Sequence, residues 1–235
     1  MAIILNIETA TDSCSVALAK DGKVVALREI SGERNHAALL TTFISECCNE
    51  SHLTLHEIDS VAVSKGPGSF TGLRIGTSTA KGICYATGKP LIAINSLQAM
   101  AANFMMQHGK PSATELLVPM IDARRMEVYH AVFDSKGDFV SPTSAKIIDS
   151  QSFADYSGIS RLILFGDGMN KCKTVLSEAS YIQFVDGNYN SAAGMVTFSE
   201  KSYELSAFED VAYFEPFYLK DFFVARQPEP PKFRP

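Results

Sequence analysis

The stretch SKGPGSFTGLRIG, residues 64–76, joins a short apolar strand to a helix through a glycine turn. The run before it, SVAVS at residues 60–64, alternates valine with smaller residues, which is typical of a buried strand. Two glycines around a proline then predict a sharp turn. Ser69 follows at the position of an N-cap, so we expect a helix from 70 to about 86.

The predicted helix contains an unusual number of glycines. Gly72, Gly76 and Gly82 each cost about 1 kcal/mol relative to alanine in a helix interior. Gly72, Gly76 and Ala80 recur at every fourth position and form one face of small residues, against which another backbone can pack closely. That backbone could belong to the chain's own sheet or to a partner protein, and the pattern alone leaves both alternatives open.

Composition restricts the class of protein. The 235 residues are 46% hydrophobic and 20% charged, which is typical of a soluble globular protein of one large domain or two lobes. No apolar run approaches the ~20 residues of a membrane span. Five cysteines without CxxC spacing indicate reduced thiols and a cytoplasmic protein. The net charge of −5 argues against binding nucleic acid without a partner.

The chain repeats one plan twice. The first half has a strand ending at Glu8, a hairpin, and the strand, glycine turn and helix described above. The second half has a strand ending at Asp122, another hairpin and the glycine turn GDG. This repeated order indicates an internal duplication and predicts an α/β fold of mixed sheets in two lobes. We expect the lobes to span 1–108 and 109–235, with a last helix that can pack back on the first lobe and a flexible tail at 227–235.

A two-lobed, duplicated fold with an acid at the end of the first strand of each half resembles the actin-like ATPases and sugar kinases, which have a ribonuclease H-like core. Five motifs narrow the resemblance to the TsaB (YeaZ) family, which assists the formation of threonylcarbamoyladenosine on tRNA. They are LNIETATDSCSVAL at 5–18, GPGSFTGLRIG at 66–76, IDARRMEVY at 121–129, GDG at 166–168 and EPFYLK at 215–220.

The resemblance implies a non-catalytic accessory subunit without a cofactor or metal of its own. In that family the catalytic relative TsaD modifies adenosine 37, TsaE is a P-loop ATPase, and the complex uses ATP. The implied partners are TsaD, TsaE and a second copy of the chain, with tRNA reached only through the complex and no membrane contact. The implied interface comprises two helices, the first capped by Asn35, through Leu40, Phe43, Ile44, Cys47, Gly72, Gly76 and Ala80.

The glycine turn has two possible roles. A glycine turn before a helix N-terminus is a common anion site, and the residues that could contact an anion are Gly66, Pro67, Gly68, Ser69, Thr71, Gly72 and Arg74. The stretch is neither a Walker A motif nor a G-x-G-x-x-G loop. A structural turn that positions the helix is therefore the favoured interpretation.

Glu8 and Asp122 occupy the positions at which the superfamily's ATPases hold metal and phosphate. Asp122 is followed by Ala123, Arg124 and Arg125, so bulky cations crowd a place where a small residue would let phosphate approach. We therefore predict a degenerate cleft. The alternative is an autonomous ATP-dependent phosphotransferase that uses both acids.

Metal binding has one candidate motif. His52 and His56 have the i, i+4 spacing of a metal pair on a helix, but they lie in a polar link. At the position of TsaD's histidine pair this chain has Ser96 and Met100, which are poor ligands for such a metal. No metal is expected, and a metallopeptidase is a weaker alternative.

Overall fold

The computed structural model describes residues 2–32 and 36–220 of the chain. The expected cap Asn35 and the expected tail at 227–235 lie outside the described residues. Within them the structure has ten strands and four α-helices, with short 3₁₀ helices between some of them. In chain order these are β1 (Ile3–Glu8), β2 (Cys14–Lys20), β3 (Lys23–Ile30), α1 (His36–Glu50), β4 (Ser60–Gly66), α2 (Phe70–Thr87), β5 (Leu91–Asn95), α3 (Ser96–His108), β6 (Glu115–Asp122), β7 (Glu127–Phe133), β8 (Phe139–Ile147), β9 (Arg161–Phe165), β10 (Ile182–Val185) and α4 (Val196–Glu204).

The strands form two sheets with the same topology. The first sheet has the order β3-β2-β1-β4-β5, and the second has the equivalent order β8-β7-β6-β9-β10. In each sheet the first strand pairs antiparallel with the hairpin strand after it and parallel with the fourth strand. The structure therefore confirms the predicted α/β fold with mixed sheets in two lobes, the plan of the actin-like ATPases. We call the parts built on these sheets the first and second lobes.

Each sheet is covered on both faces. In the first lobe, α1 and α2 cover one face through a core that includes Leu40, Ile44 and Ala80. The opposite face packs against α4 and the turn before it, through Met195 and Val196. The helix α3 packs against the second sheet, although it follows the last strand of the first. The two halves thus exchange their covering helices.

The second half contains elements that the sequence does not predict. The GDG turn leads into a short 3₁₀ helix, Asp167–Cys172, and β10 forms an additional edge strand. The expected last helix is α4, which follows the 3₁₀ turn Ala192–Met195. The edge strand has only four residues, one of them exposed, so its hydrophobic pattern is too short to recognise.

Candidate functional site

A cleft of about 1150 Å³ lies between the lobes. The first lobe contributes the turn after β1, the loop 67–72 and residues 217–220. The second lobe contributes the β6–β7 hairpin at 121–125 and Asp167. Both glycine turns and both hairpins of the duplication therefore meet here, as expected for the fold.

The predicted N-cap is confirmed. Ser69 has extended backbone dihedrals, and its hydroxyl accepts a hydrogen bond from the Gly72 amide at 3.3 Å. Its own amide donates to the carbonyl of Ala10 at 2.6 Å, which attaches the glycine loop to the turn after β1. The peptide bond between Gly66 and Pro67 is cis. Ser69 thus has a structural role that its hydroxyl and amide both serve.

The glycines of α2 accommodate the chain's own backbone. A Cβ atom at Gly72 would lie 2.1 Å from the carbonyl oxygen of Thr9, and one at Gly76 would lie 2.3 Å from the Thr9 hydroxyl. Gly68 is equally close to Ala10, whose carbonyl oxygen would be 2.1 Å from the added carbon. The second glycine turn repeats this arrangement, since a Cβ at Gly166 would be 2.3 Å from a backbone oxygen of β6. Close intrachain packing therefore accounts for the small-residue face.

Most residues of the expected partner interface lie inside the chain. Gly72, Gly76 and Ala80 are buried inside the chain, and their small size is needed there. In α1 the side chain of Phe43 is only partly buried, whereas three predicted contact residues belong to the core: Leu40, Ile44 and Cys47. Periodicity identified the helix faces correctly as apolar or small but could not tell which face a partner would meet.

The outward faces of α1 and α2 are small and almost uncharged. Residues 36–45 of α1 contain no Asp, Glu, Lys or Arg, and none lies between Arg74 and Lys81 of α2. The exposed residues of the two helices are Ala37, Ala38, Thr41, Thr42, Ser45, Asn49, Glu50, Thr71, Arg74, Ser78, Gly82, Tyr85 and Ala86. The charged ones, Glu50 and Arg74, flank the uncharged stretches. Solvated helix faces are normally charged, so the uncharged stretches are an unusual feature that the sequence alone contains.

Glu8 does not face the cleft. Its side chain is buried, with 1% of the residue exposed, and its carboxylate accepts a hydrogen bond from the Ala10 amide at 2.7 Å. Burial raises the pKa of Glu8 to about 7, against the opposing effect of the hydrogen bonds from Ala10 and Ser64. Of the residues predicted for the degenerate cleft, Asp122 and Arg124 line it and Glu8 lies behind its surface. Asp12 lines the cleft in its place.

The second-lobe acids do line the cleft. Asp122 accepts a hydrogen bond from the Arg124 amide at 2.8 Å and forms an ion pair with Lys171. Asp167 accepts from the amides of Asp122 and Gly168 at 3.3 and 3.0 Å. Desolvation raises the pKa of Asp167 to about 6, and the negative charges of Asp12 and Asp122 add to the effect. The acid of the GDG turn was not singled out from the sequence.

Two arginines enter the cleft on a strained turn. Arg124 and Arg125 both have positive φ, at 69° and 52°, and both are exposed where they line the cleft. A left-handed conformation costs a non-glycine residue roughly 1–2 kcal/mol. The hairpin therefore holds two cations at the cleft.

The metal motif does not form a site. His52 has a positive φ of 54° and follows the end of α1, so His52 and His56 do not share a helix. Ser96 and Met100 are buried in α3. Across residues 2–32 and 36–220 there is no group of three or more His, Cys, Asp or Glu arranged to hold a metal. Nor does this part of the chain contain a helix long and apolar enough to cross a membrane.

Comparisons with known proteins relate the chain to TsaB and to TsaD. Residues 27–218 match the family model of TsaD, tRNA N6-adenosine threonylcarbamoyltransferase. The chain is 32% identical to the tRNA threonylcarbamoyladenosine biosynthesis protein TsaB of Haemophilus influenzae, over 79% of this chain and 76% of that protein. It is 39% identical to TsaB of Escherichia coli K12, over 55% of this chain and 54% of that protein.

The fold has close structural counterparts. A crystal structure of a Pseudomonas aeruginosa protein, described as similar to peptidase YEAZ, superposes with a TM-score of 0.82. The superposition covers 94% of this chain and all of that one, at 22% sequence identity. At that identity the likeness concerns the fold alone, and it extends over both lobes.

Proposed function

Since the chain belongs to the family of TsaB, the tRNA threonylcarbamoyladenosine biosynthesis protein, we propose that it is a non-catalytic subunit of the modifying complex. In this role it binds and activates TsaD, which carries out the transfer to adenosine 37, and works with TsaE. ATP is consumed by the complex, and tRNA is reached through it.

The proposal that the chain is non-catalytic depends on the environment of two acids, Glu8 and Asp122. The resemblance to the ATPases assigns metal and phosphate binding to the acids at the positions of Glu8 and Asp122, and this role requires free carboxylates. Glu8 is instead buried and hydrogen bonded to its own turn, and Asp122, although it lines the cleft, is ion-paired with Lys171. Arg124 and Arg125 also line the cleft, next to Asp122 in the hairpin. The states of these two acids and the two arginines thus support a cleft without ATP chemistry.

The outward faces of α1 and α2 support the partner part of the proposal. Small uncharged residues lose little side-chain entropy when a partner covers them and bring no charge that would have to be desolvated. The same surface serves the contact with TsaD and the homodimer of the isolated chain, so these two assemblies exclude each other. Threonines and serines on this surface, including Thr41 and Ser78, lie where contact is expected.

Reconstituted tRNA modification tests the proposal. TsaD, TsaE and the threonylcarbamoyl-adenylate synthase are assayed with no addition, with the wild-type chain and with Ser78→Arg, which adds a large cation to the exposed face of α2. We expect stimulation by the wild type and at least a ~10-fold loss with the variant, because a buried unpaired charge costs more than 1.4 kcal/mol. Ser150→Arg, at an exposed position of the second lobe, is the matched control.

Each part of the proposal has an outcome that would contradict it. Modification at full rate without the chain would exclude an activating role. Equal stimulation by Ser78→Arg and wild type would contradict the proposed interface on α2, although not the activating role.

A further inference from the structure

The last described residues of the chain run along the first lobe toward the cleft. The Glu209 amide donates to the carbonyl of Leu91 at 2.8 Å, beside the edge strand β5. Lys81 of α2 then donates to the carbonyls of Ala212 and Phe214, both at 3.1 Å. The segment is therefore attached to the first lobe up to Phe214.

Residues 215–220, which we call the latch segment, continue across the glycine loop. The Phe217 amide donates to the carbonyl of Lys65 at 2.7 Å. Arg74 donates from Nε to the Tyr218 hydroxyl at 3.3 Å, and its guanidinium lies 3.9 Å from the centroid of the Phe70 ring. The rings of Phe70 and Tyr218 pack with their centroids 5.0 Å apart. These contacts attach the latch segment to the N-terminus of α2.

The end of the latch segment reaches the other lobe. Lys220 forms an ion pair with Glu127, the first residue of β7 in the second lobe. Phe217, Tyr218, Leu219 and Lys220 all line the cleft, so the chain passes along the cleft between its attachment on α2 and this ion pair.

The lobes have a second junction, which lies outside the cleft lining. The Asn188 side chain donates to the Ser13 hydroxyl at 2.8 Å. Asn95, at the end of β5, donates from its side-chain amide to the Thr143 hydroxyl of β8 at 2.9 Å. The helix α3 packs on the second sheet, while its Ala99 belongs to the core on the first sheet. This junction thus includes buried apolar packing, whereas the Lys220–Glu127 pair is a single, partly exposed contact, at 36% and 22% of the two side chains.

We propose that the latch segment holds the cleft closed through the Lys220–Glu127 ion pair, and that breaking this pair lets the lobes open about the junction formed by α3 and the Asn188–Ser13 contact. An exposed ion pair is weak and is screened by salt, so open and closed forms interconvert readily. The segment thereby controls access to the Arg124–Arg125 turn and to the N-terminus of α2. This inference is independent of the proposed function.

The distance between the lobes can be measured with spin labels. One label is attached through His56→Cys, in the loop between α1 and β4 of the first lobe, and the other through Ser150→Cys in the second lobe, both exposed positions. The five native cysteines are buried, and burial raises the pKa of three of them, Cys14, Cys47 and Cys84, to about 11. Thiolates are the reactive form, so the introduced residues are labelled selectively.

Charge reversal gives the decisive comparison. Lys220→Glu and Glu127→Lys should each shift the label-to-label distances to longer values and broaden their distribution, because each variant places like charges together. The double variant Lys220→Glu/Glu127→Lys should restore the parent distribution. Lys136→Glu, at an exposed position of the β7–β8 turn, controls for net charge.

The proposal is overturned by either of two results. Single variants with the parent distribution would show that the ion pair does not hold the lobes. Single variants that open without rescue in the double variant would assign the effect to something other than this pair. Circular dichroism of each variant establishes that it is folded.

Discussion

The stability of the variant Gly72→Ala distinguishes two explanations for the glycines of α2. The glycines either pack against the chain itself or are exposed to a partner protein. In Gly72→Ala the new carbon would lie 2.1 Å from the carbonyl oxygen of Thr9, where ordinary contact requires about 3.5 Å. The helix cannot simply move away, because the Thr9 hydroxyl donates to the Gly72 carbonyl at 2.8 Å. Overpacking costs ~1–3 kcal/mol, and a 2.1 Å approach to a backbone atom belongs at the upper end of that range. The gain in helix propensity returns about 1 kcal/mol, so the net loss is about 2 kcal/mol.

Gly82→Ala is the matched control in the same helix. No atom lies within 4 Å of a Cβ at Gly82, and the residue is exposed, so only the propensity gain of about 1 kcal/mol applies. In thermal unfolding of a domain of this size, 1 kcal/mol corresponds to a Tm change of ~2–4 °C. We expect Gly82→Ala to raise Tm by about that amount and Gly72→Ala to lower it by at least as much. A Gly72→Ala protein as stable as the wild type would refute intrachain packing as the reason for the glycine.

Three further perturbations follow from buried or capping groups. Between pH 4.5 and about 7, Glu8 is protonated in the folded protein but ionised in the unfolded chain, because burial raises its pKa to about 7. The stability that this proton contributes is therefore present below pH 4.5 and is lost as the pH rises through 7. In urea unfolding, the free energy of unfolding of Glu8→Gln relative to wild type should therefore increase by up to ~3 kcal/mol between pH 4.5 and 8. A difference between the two proteins that does not change with pH would contradict the burial of a charge at Glu8. His130 shows the opposite sign: burial lowers its pKa to about 4, so stability rises from pH 4 to 6.5, and His130→Gln should flatten the same titration in that window. Ser69→Ala removes the acceptor for the Gly72 amide and should cost ~1 kcal/mol in urea unfolding at pH 7, an effect that Ser150→Ala should not reproduce.

Local patterns were sufficient for most of the fold. The alternation in the first strand of each half, the turn residues and the N-cap at Ser69 depend on neighbours a few positions apart, so the sequence predicts them directly. Because the same plan occurs twice, the two lobes and their mixed sheets also followed. The edge strand β10 was missed because four residues carry too little pattern.

The site was decided by contacts between residues far apart in the chain. The strand β1 is buried on both faces, so alternation could not tell whether Glu8 points into the cleft or away from it. The glycines at 72 and 76 were recognisable as a close-packing face, but only the fold identifies Thr9 as the residue they meet, through its backbone carbonyl at Gly72 and its hydroxyl at Gly76. Likewise, Lys220 and Glu127 are 93 positions apart, and nothing local marks them as partners. Sequence therefore determined which elements form, because elements depend on short-range periodicity. Only the tertiary structure shows which face of each helix or strand is buried by other parts of the chain, because this burial depends on contacts between residues far apart in sequence.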